Sequence, residues 1–346
     1  MYRYLILLVL IFVVFDLSAQ NKKKKKKKKK EVPENIEIIE SKFSLAPIYV
    51  NEYSCLTIKN RKIDAAGQMK YKPNIIGSVG GKLSIKNFTI SYVRALPQPE
   101  EFGKTKATNF VFNFQKRLFG MQLYWTQYHG LYLDTLDRYG IFDDMYKQDV
   151  DSAYIIRSDI DFKNIGFQTY FITTKSFSIN AAFDQTERQK KTAGSFFLLV
   201  GANYMGINNE QGHSLIIASK EQYFPKTKDL YDLNTISIKV APGIGYSFII
   251  KKYFSLSFIA VGGMNFQFKW YQLDGASRTR FNPWLSLYYL GKVALGYNGK
   301  VFFANLVYSN SQDIVGFRKA YTPYDCDANF KFYREFFKIT TGFRIL

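Results

Sequence analysis

The sequence predicts an all-β chain: an antiparallel transmembrane β-barrel of about fourteen strands, or about twelve in a smaller variant, behind a disordered Lys-rich tether. Three observations predict it. Apolar residues alternate with small or polar ones through long segments of residues 46–346. Short turns alternate with long polar stretches. After the first fifteen residues, no apolar run approaches the ~20 residues that a membrane-crossing helix needs. A chain that is 47% apolar and 18% aromatic buries a core, so intrinsic disorder is excluded. Two Cys exclude a disulfide scaffold and a four-Cys metal site, and two His leave little material for His-based catalysis.

The N-terminus comes first. Arg3 precedes an apolar stretch from Tyr4 to Phe15, and Leu17-Ser18-Ala19 ends it before Gln20. These are the marks of a secretory signal peptide, residues 1–19, cut after Ala19. No Cys near residue 20 supports a lipoprotein anchor. Residues 20–45 read as a periplasmic linker, and Lys22–Lys30 are nine consecutive lysines. Like charges at this density repel and stay solvated. The tract is either an arm that touches polyanions such as lipid phosphates, or a low-complexity expansion without a partner. Lysines directly behind an apolar segment also oppose its export. The formal charge is +20, and without the nine lysines it is still +11. No nucleic-acid-binding motif accompanies that charge, so no nucleic-acid partner is expected.

The strands follow. From Ile236 to Ile250, even positions read Ile, Ile, Val, Pro, Ile, Tyr, Phe, Ile, while odd ones are Ser, Lys, Ala, Gly, Gly, Ser and one Ile. Successive strand side chains point to opposite faces, so one face is greasy and the other small or polar. The pattern returns in Ile75–Leu83, Phe110–Phe114, Phe119–Trp125, Phe177–Phe183, Phe254–Ala260 and Phe337–Ile345. One such segment is a weak signal, and some ten in series are a strong one. Short turns fall at Lys86-Asn87, Lys116-Arg117, Thr174-Lys175, Lys251-Lys252 and Asn298-Gly299, and long polar stretches at 97–105, 132–158, 225–235, 271–281 and 311–332. That asymmetry belongs to outer-membrane barrels. The segments number about thirteen, and with both ends on one side the count must be even, so His213–Phe224 is taken as one more strand. Without it, or without Ala46–Ile58, the count falls to about twelve. A soluble sandwich would use shorter strands and bury its apolar faces between sheets. The terminal amphipathic strand is a signal for the barrel-assembly machinery, and the partner of the apolar faces is outer-membrane lipid.

Tyr71-Lys72-Pro73-Asn74 leading into Gly77, Gln127–Tyr132, and Phe183-Asp184-Gln185 through Gln189 to Gly194-Ser195-Phe196 resemble a family of uncharacterised proteins from Bacteroidetes-type bacteria. That family is known as a domain of unknown function. The resemblance covers roughly Ser44–Leu346 and implies a signal peptide and a barrel in the bacterial outer membrane, with no activity and no functional residue.

Candidate chemistry is sparse. A rim lipid hydrolase or protease would need a nucleophile or base beside a His. His129 lies near the outer end of its strand, and His213 and Ser214 point to opposite strand faces. No enzyme and no cofactor are therefore expected. Asp134, Asp137, Asp143, Asp144, Asp149, Asp151, Asp159 and Asp161 crowd one loop without the spacing of a calcium motif, so they read as solvated acids and no metal is assigned. Cys55 falls near the outer end of the first strand and Cys326 in the loop before the last strand, and a barrel sets those strands side by side, so a disulfide is open to them. Alternation points Lys82, Lys239, Lys269, Lys292, Lys338 and Arg344 into the lumen. Basic walls favour anions. The sequence thus predicts a passive small-solute pore with anion preference. The alternatives are a closed structural or adhesive barrel acting through its external loops, then a rim hydrolase.

Overall fold

Alternation of this kind has one solution in a bilayer. Every backbone group must be paired, and a sheet manages this only by closing on itself. The computed structural model describes residues 35–60, 68–98, 102–134, 154–209, 211–273, 280–316 and 328–345. The predicted signal peptide, residues 1–19, and the lysine tract lie outside them.

Fifteen strands are described: β1 (Ile36–Ile38), β2 (Phe43–Asn60), β3 (Gln68–Lys72), β4 (Ser78–Ile85), β5 (Phe88–Ala95), β6 (Lys106–Gln115), β7 (Phe119–Asp134), β8 (Ile155–Ile172), β9 (Glu187–Gln189), β10 (Ala193–Asn209), β11 (Leu230–Ile250), β12 (Phe254–Leu273), β13 (Arg280–Asn298), β14 (Phe302–Val315) and β15 (Ala328–Ile345). Twelve close a ring, β2-β4-β5-β6-β7-β8-β10 and on through β15, with β15 returning antiparallel to β2. Ile345 faces Phe43 and Ala328 faces Asn60, so the barrel begins and ends at one rim, here called inner.

Exposure is inverted relative to a soluble protein. On β11, Ile236, Ile238, Val240, Ile244, Phe248 and Ile250 are each more than a third exposed, while Thr235, Ser237, Lys239, Ala241 and Ser247 are buried. Along β11, at ~3.3 Å per residue and a tilt near 40°, Ile236 to Phe248 covers about 30 Å of membrane normal, the thickness of a hydrocarbon core. The apolar face meets lipid, and the polar face meets the lumen.

β3 pairs with the outer part of β2 and directly with β7, above the short hairpin β5–β6. Pro73, with no N–H to give a ladder, follows the end of β3. The break is tied by Asn74, whose N–H donates to Thr105 Oγ1 at 2.8 Å, and by that hydroxyl donating to the Gly130 carbonyl at 2.7 Å. Gly130 has φ +81 at a register shift between β7 and β8, and a Cβ there would lie 2.5 Å from the Lys104 carbonyl oxygen. Two segments that carried the family resemblance, Tyr71–Asn74 and Gln127–Tyr132, therefore meet at one ledge.

Twelve spanning strands, not fourteen, make the ring, and two predicted strands are something else. Phe177–Phe183 alternates like a strand but turns into a π-helical segment, Asn180–Asp184. Its centre is Ser178-Ile179-Asn180-Ala181-Ala182, where Ser and Asn compete for the backbone; Ser178 Oγ accepts the Ala181 N–H at 3.0 Å. His213–Phe224 becomes a loop ending in a 3-10 turn, Ala218–Tyr223. Apolar residues there are contiguous (Leu215-Ile216-Ile217), with no alternation to fit a sheet. The predicted start at residue 46 moves to Phe43.

Candidate functional site: a chamber between two internal plugs

The two segments that fail to span fold into the lumen from opposite ends. At the inner end, residues 173–192 form a plug. Phe177 is fully buried and meets the Phe197 ring edge-on at 5.5 Å, beside Ile179 and Leu199. β9 pairs with β1, so the segment entering the barrel is stitched to the plug, with Arg188 bonded to Glu37 at 3.0 Å. The rim holds it by backbone capture. Arg188 Nε donates to the Asn298 carbonyl at 2.8 Å, Asn298 Nδ2 to the Glu187 carbonyl at 2.7 Å, and Arg344 to the carbonyls of Gly299 and Gln185. Lys82 donates to the Asp184 carbonyl at 2.6 Å, with the Asp184 carboxylate 3.7 Å away.

At the outer end, residues 211–229 bury Leu215, Ile216 and Phe224 among inward side chains of β2, β3, β7, β8, β10, β12, β14 and β15. Tyr71 donates to the Leu215 carbonyl at 2.6 Å, Asn60 to the Tyr223 carbonyl, and Arg157 to the Ser214 carbonyl at 2.9 Å. The open lumen expected from the sequence is thus occupied by the protein's own chain at both ends.

Between the plugs lies a chamber of about 230 Å³. Three ion pairs line it. Arg334 grips Glu52 with two bonds of 2.8 and 3.0 Å, and Glu52 also accepts from Ser54 at 2.6 Å and from Tyr128. Lys239 bonds Asp313 at 2.7 Å and lies 4.4 Å from the centre of the Tyr288 ring. Lys82 meets Asp184 of the plug. A ladder of amides joins the wall to the plug tip. Gln168 donates to Gln122 at 2.5 Å, Gln122 to Asn113 at 2.8 Å, and Asn113 to Asp184 at 3.4 Å.

The structure places the sequence-derived residues as follows. Lys82, Lys239, Lys292 and Lys338 line the chamber. Arg344 lies below it and clamps the plug, and Lys269 is fully buried on β12, apart from the chamber lining. Cys55 is buried, with Sγ 3.6 Å from Thr57 Oγ1, and Cys326 lies outside the described residues. His129 Nδ1 is 4.0 Å from Asp161, which also pairs with Lys163. His213 Nδ1 is 3.7 Å from Asp159, which Arg157 holds at 2.9 Å. Asp134 pairs with Lys72 at 2.7 Å. The described aspartates of the acidic loop are therefore tied to three different cations, and no group of three metal-ligating side chains forms among the described residues. Asp137, Asp143, Asp144, Asp149 and Asp151 lie outside them.

Of the charged residues that line the chamber, alternation placed Asp184 among the few acids facing the inward lysines, and sequence reasoning missed Glu52, Asp313 and Arg334. Glu52 stands at an inward position of the predicted strand Ala46–Ile58, in step with Ile48 and Val50, and carrying the Phe337–Ile345 alternation back by two residue pairs reaches Arg334.

The chain belongs to the family described as a domain of unknown function (DUF4421), whose profile matches residues 35–343. No curated protein matches it in sequence. Three solved structures are similar in fold only. The outer membrane protease OmpT from Escherichia coli aligns at 9% identity over 88% of this chain and 97% of its own, with a TM-score of 0.32. A Pseudomonas aeruginosa FadL homologue aligns at 10% over 88% and 90%, TM-score 0.26. Ail, the attachment invasion locus protein of Yersinia pestis, aligns at 10% over 87% and 99%, TM-score 0.20. Likeness this distant carries no argument about activity.

Proposed function

We propose that this member of the family is a closed outer-membrane barrel whose resting form does not pass solutes freely, and which meets its partners through its external end. One observation carries the reading: residues 173–192 and 211–229 fill the lumen from either side of the chamber. Signal-directed export, insertion through the C-terminal strand and a bacterial outer-membrane location belong to the same reading, as does the lack of a catalytic role. The lipid-facing belt supports the location, since its height matches a hydrocarbon core.

A second reading is a gated passage with anion preference. It is favoured by the chamber's charge, five cations against three carboxylates. Basic linings of a pore favour anions. The two readings part in proteoliposomes loaded with a small organic anion. The closed barrel holds the anion unless both plugs are shortened. Rapid leakage through the intact protein would exclude the closed form and leave the passage.

A further inference from the structure

In a closed barrel, charge inside the chamber has no bulk water to dissipate it, and two of the five cations have no acid of their own. Lys239, Arg334 and Lys82 are matched by Asp313, Glu52 and Asp184. Lys292 on β13 and Lys338 on β15 make no hydrogen bond or ion pair with any described residue. Only β14 separates their strands. Lys292 stands opposite Ser309 and Lys338 opposite Val307, two inward positions that follow one another along β14. Both ammonium groups therefore serve the same stretch of wall. The nearest acid of the plug, Asp184, is already taken by Lys82 and by Asn113. Two like charges held together away from bulk water repel, and each loses hydration, unless an anion joins them.

The rest of the wall gives the anion a shape. Ile48, Val50, Ile179, Phe183, Leu290 and Val307 face the same chamber. A free inorganic ion would leave this apolar surface against water. We propose that the chamber binds a small amphipathic anion, its carboxylate between Lys292 and Lys338 and its short apolar body against those side chains. The volume of about 230 Å³ falls below the usual ~300 Å³ lower bound of drug-sized pockets. A molecule of a few carbons fits. The inference rests on the closed barrel, because an open lumen would hydrate both lysines and remove the reason for a ligand.

The test uses the full-length barrel in detergent, with hexanoate as probe and hexan-1-ol as its neutral counterpart. The probe is added both to the folded barrel and during refolding from urea, so that access through the plugs does not limit binding. Heat-modifiable migration on a gel reports folding of every variant. Hexanoate is expected to bind saturably, with hexan-1-ol and the Lys292→Gln/Lys338→Gln double variant each about tenfold or more weaker, the value of a charged hydrogen bond. Asp184→Asn, which removes the competing carboxylate, is expected to tighten hexanoate several-fold. Absence of saturable binding under both conditions, equal binding by hexan-1-ol or inorganic phosphate, or undiminished binding by the folded double variant overturns the proposal. Anion leakage from proteoliposomes is read separately. A leaky barrel sinks the closed form, whereas a tight barrel that ignores hexanoate sinks only the chamber ligand.

Discussion

At the scale of single residues, the lumen is held together by charges that are distant in sequence and adjacent in space. Glu52 and Arg334 are 282 residues apart, and Glu52 has a side chain 1% exposed. Removing one partner of such a pair leaves an uncompensated buried charge, which costs about 3–5 kcal/mol, whereas removing both is much milder. Arg334→Met is therefore expected to lower the urea midpoint of folding by far more than Glu52→Gln/Arg334→Met together, followed by heat-modifiable gel migration. Equal losses would show that Glu52 is solvated rather than paired. The inward direction of Lys82, Lys239, Lys292 and Lys338 was legible from period-two alternation. Asp184 was legible as an acid facing them, but the pairings were not, because the match of Lys239 to Asp313 or Arg334 to Glu52 depends on how the ring closes and on its register. Alternation fixes only the face on which a side chain stands.

The lesson at the scale of elements is one of parity. Thirteen alternating segments cannot place both termini at one rim, and the odd count signalled one false strand rather than one missing. Phe177–Phe183 was that false strand. It alternates because Phe177 and Ile179 pack among barrel side chains while Ser178 and Asn180 serve its own turn, a soluble-core reason for the same pattern. The contiguous apolar run at Leu215 is an internal seal for a related reason: apolar residues on successive positions need burial on all sides. The plug's attachment makes a prediction. Arg344→Ala removes donors to the Gln185 and Gly299 carbonyls, leaving backbone oxygens near the rim without partners. Residues 173–192 should then be cut sooner by a protease added from the inner side, with the barrel core still resistant. An unchanged cleavage rate would mean that β1–β9 pairing and Arg188 hold the plug without it.

For the molecule as a whole, the fold class and the lipid-facing belt were the most legible features, because one face of every long strand must satisfy lipid along its entire length. Depth in the bilayer gives a further expectation. Val240→Arg, on the lipid face near the middle of the belt, should destabilise the barrel by about 2–4 kcal/mol, and Asp232→Arg, near its outer end, by about 0–1 kcal/mol. Refolding titrations into lipid vesicles measure both, and equal penalties would contradict the membrane placement. The central claim, that the protein's own chain closes its lumen, is tested most directly by planar-bilayer conductance. The intact barrel is expected to stay silent, and a variant with residues 178–186 and 214–227 both replaced by short Gly-Ser links should give stable steps whose reversal potential favours anions. Stable steps from the intact protein at low voltage would contradict the account.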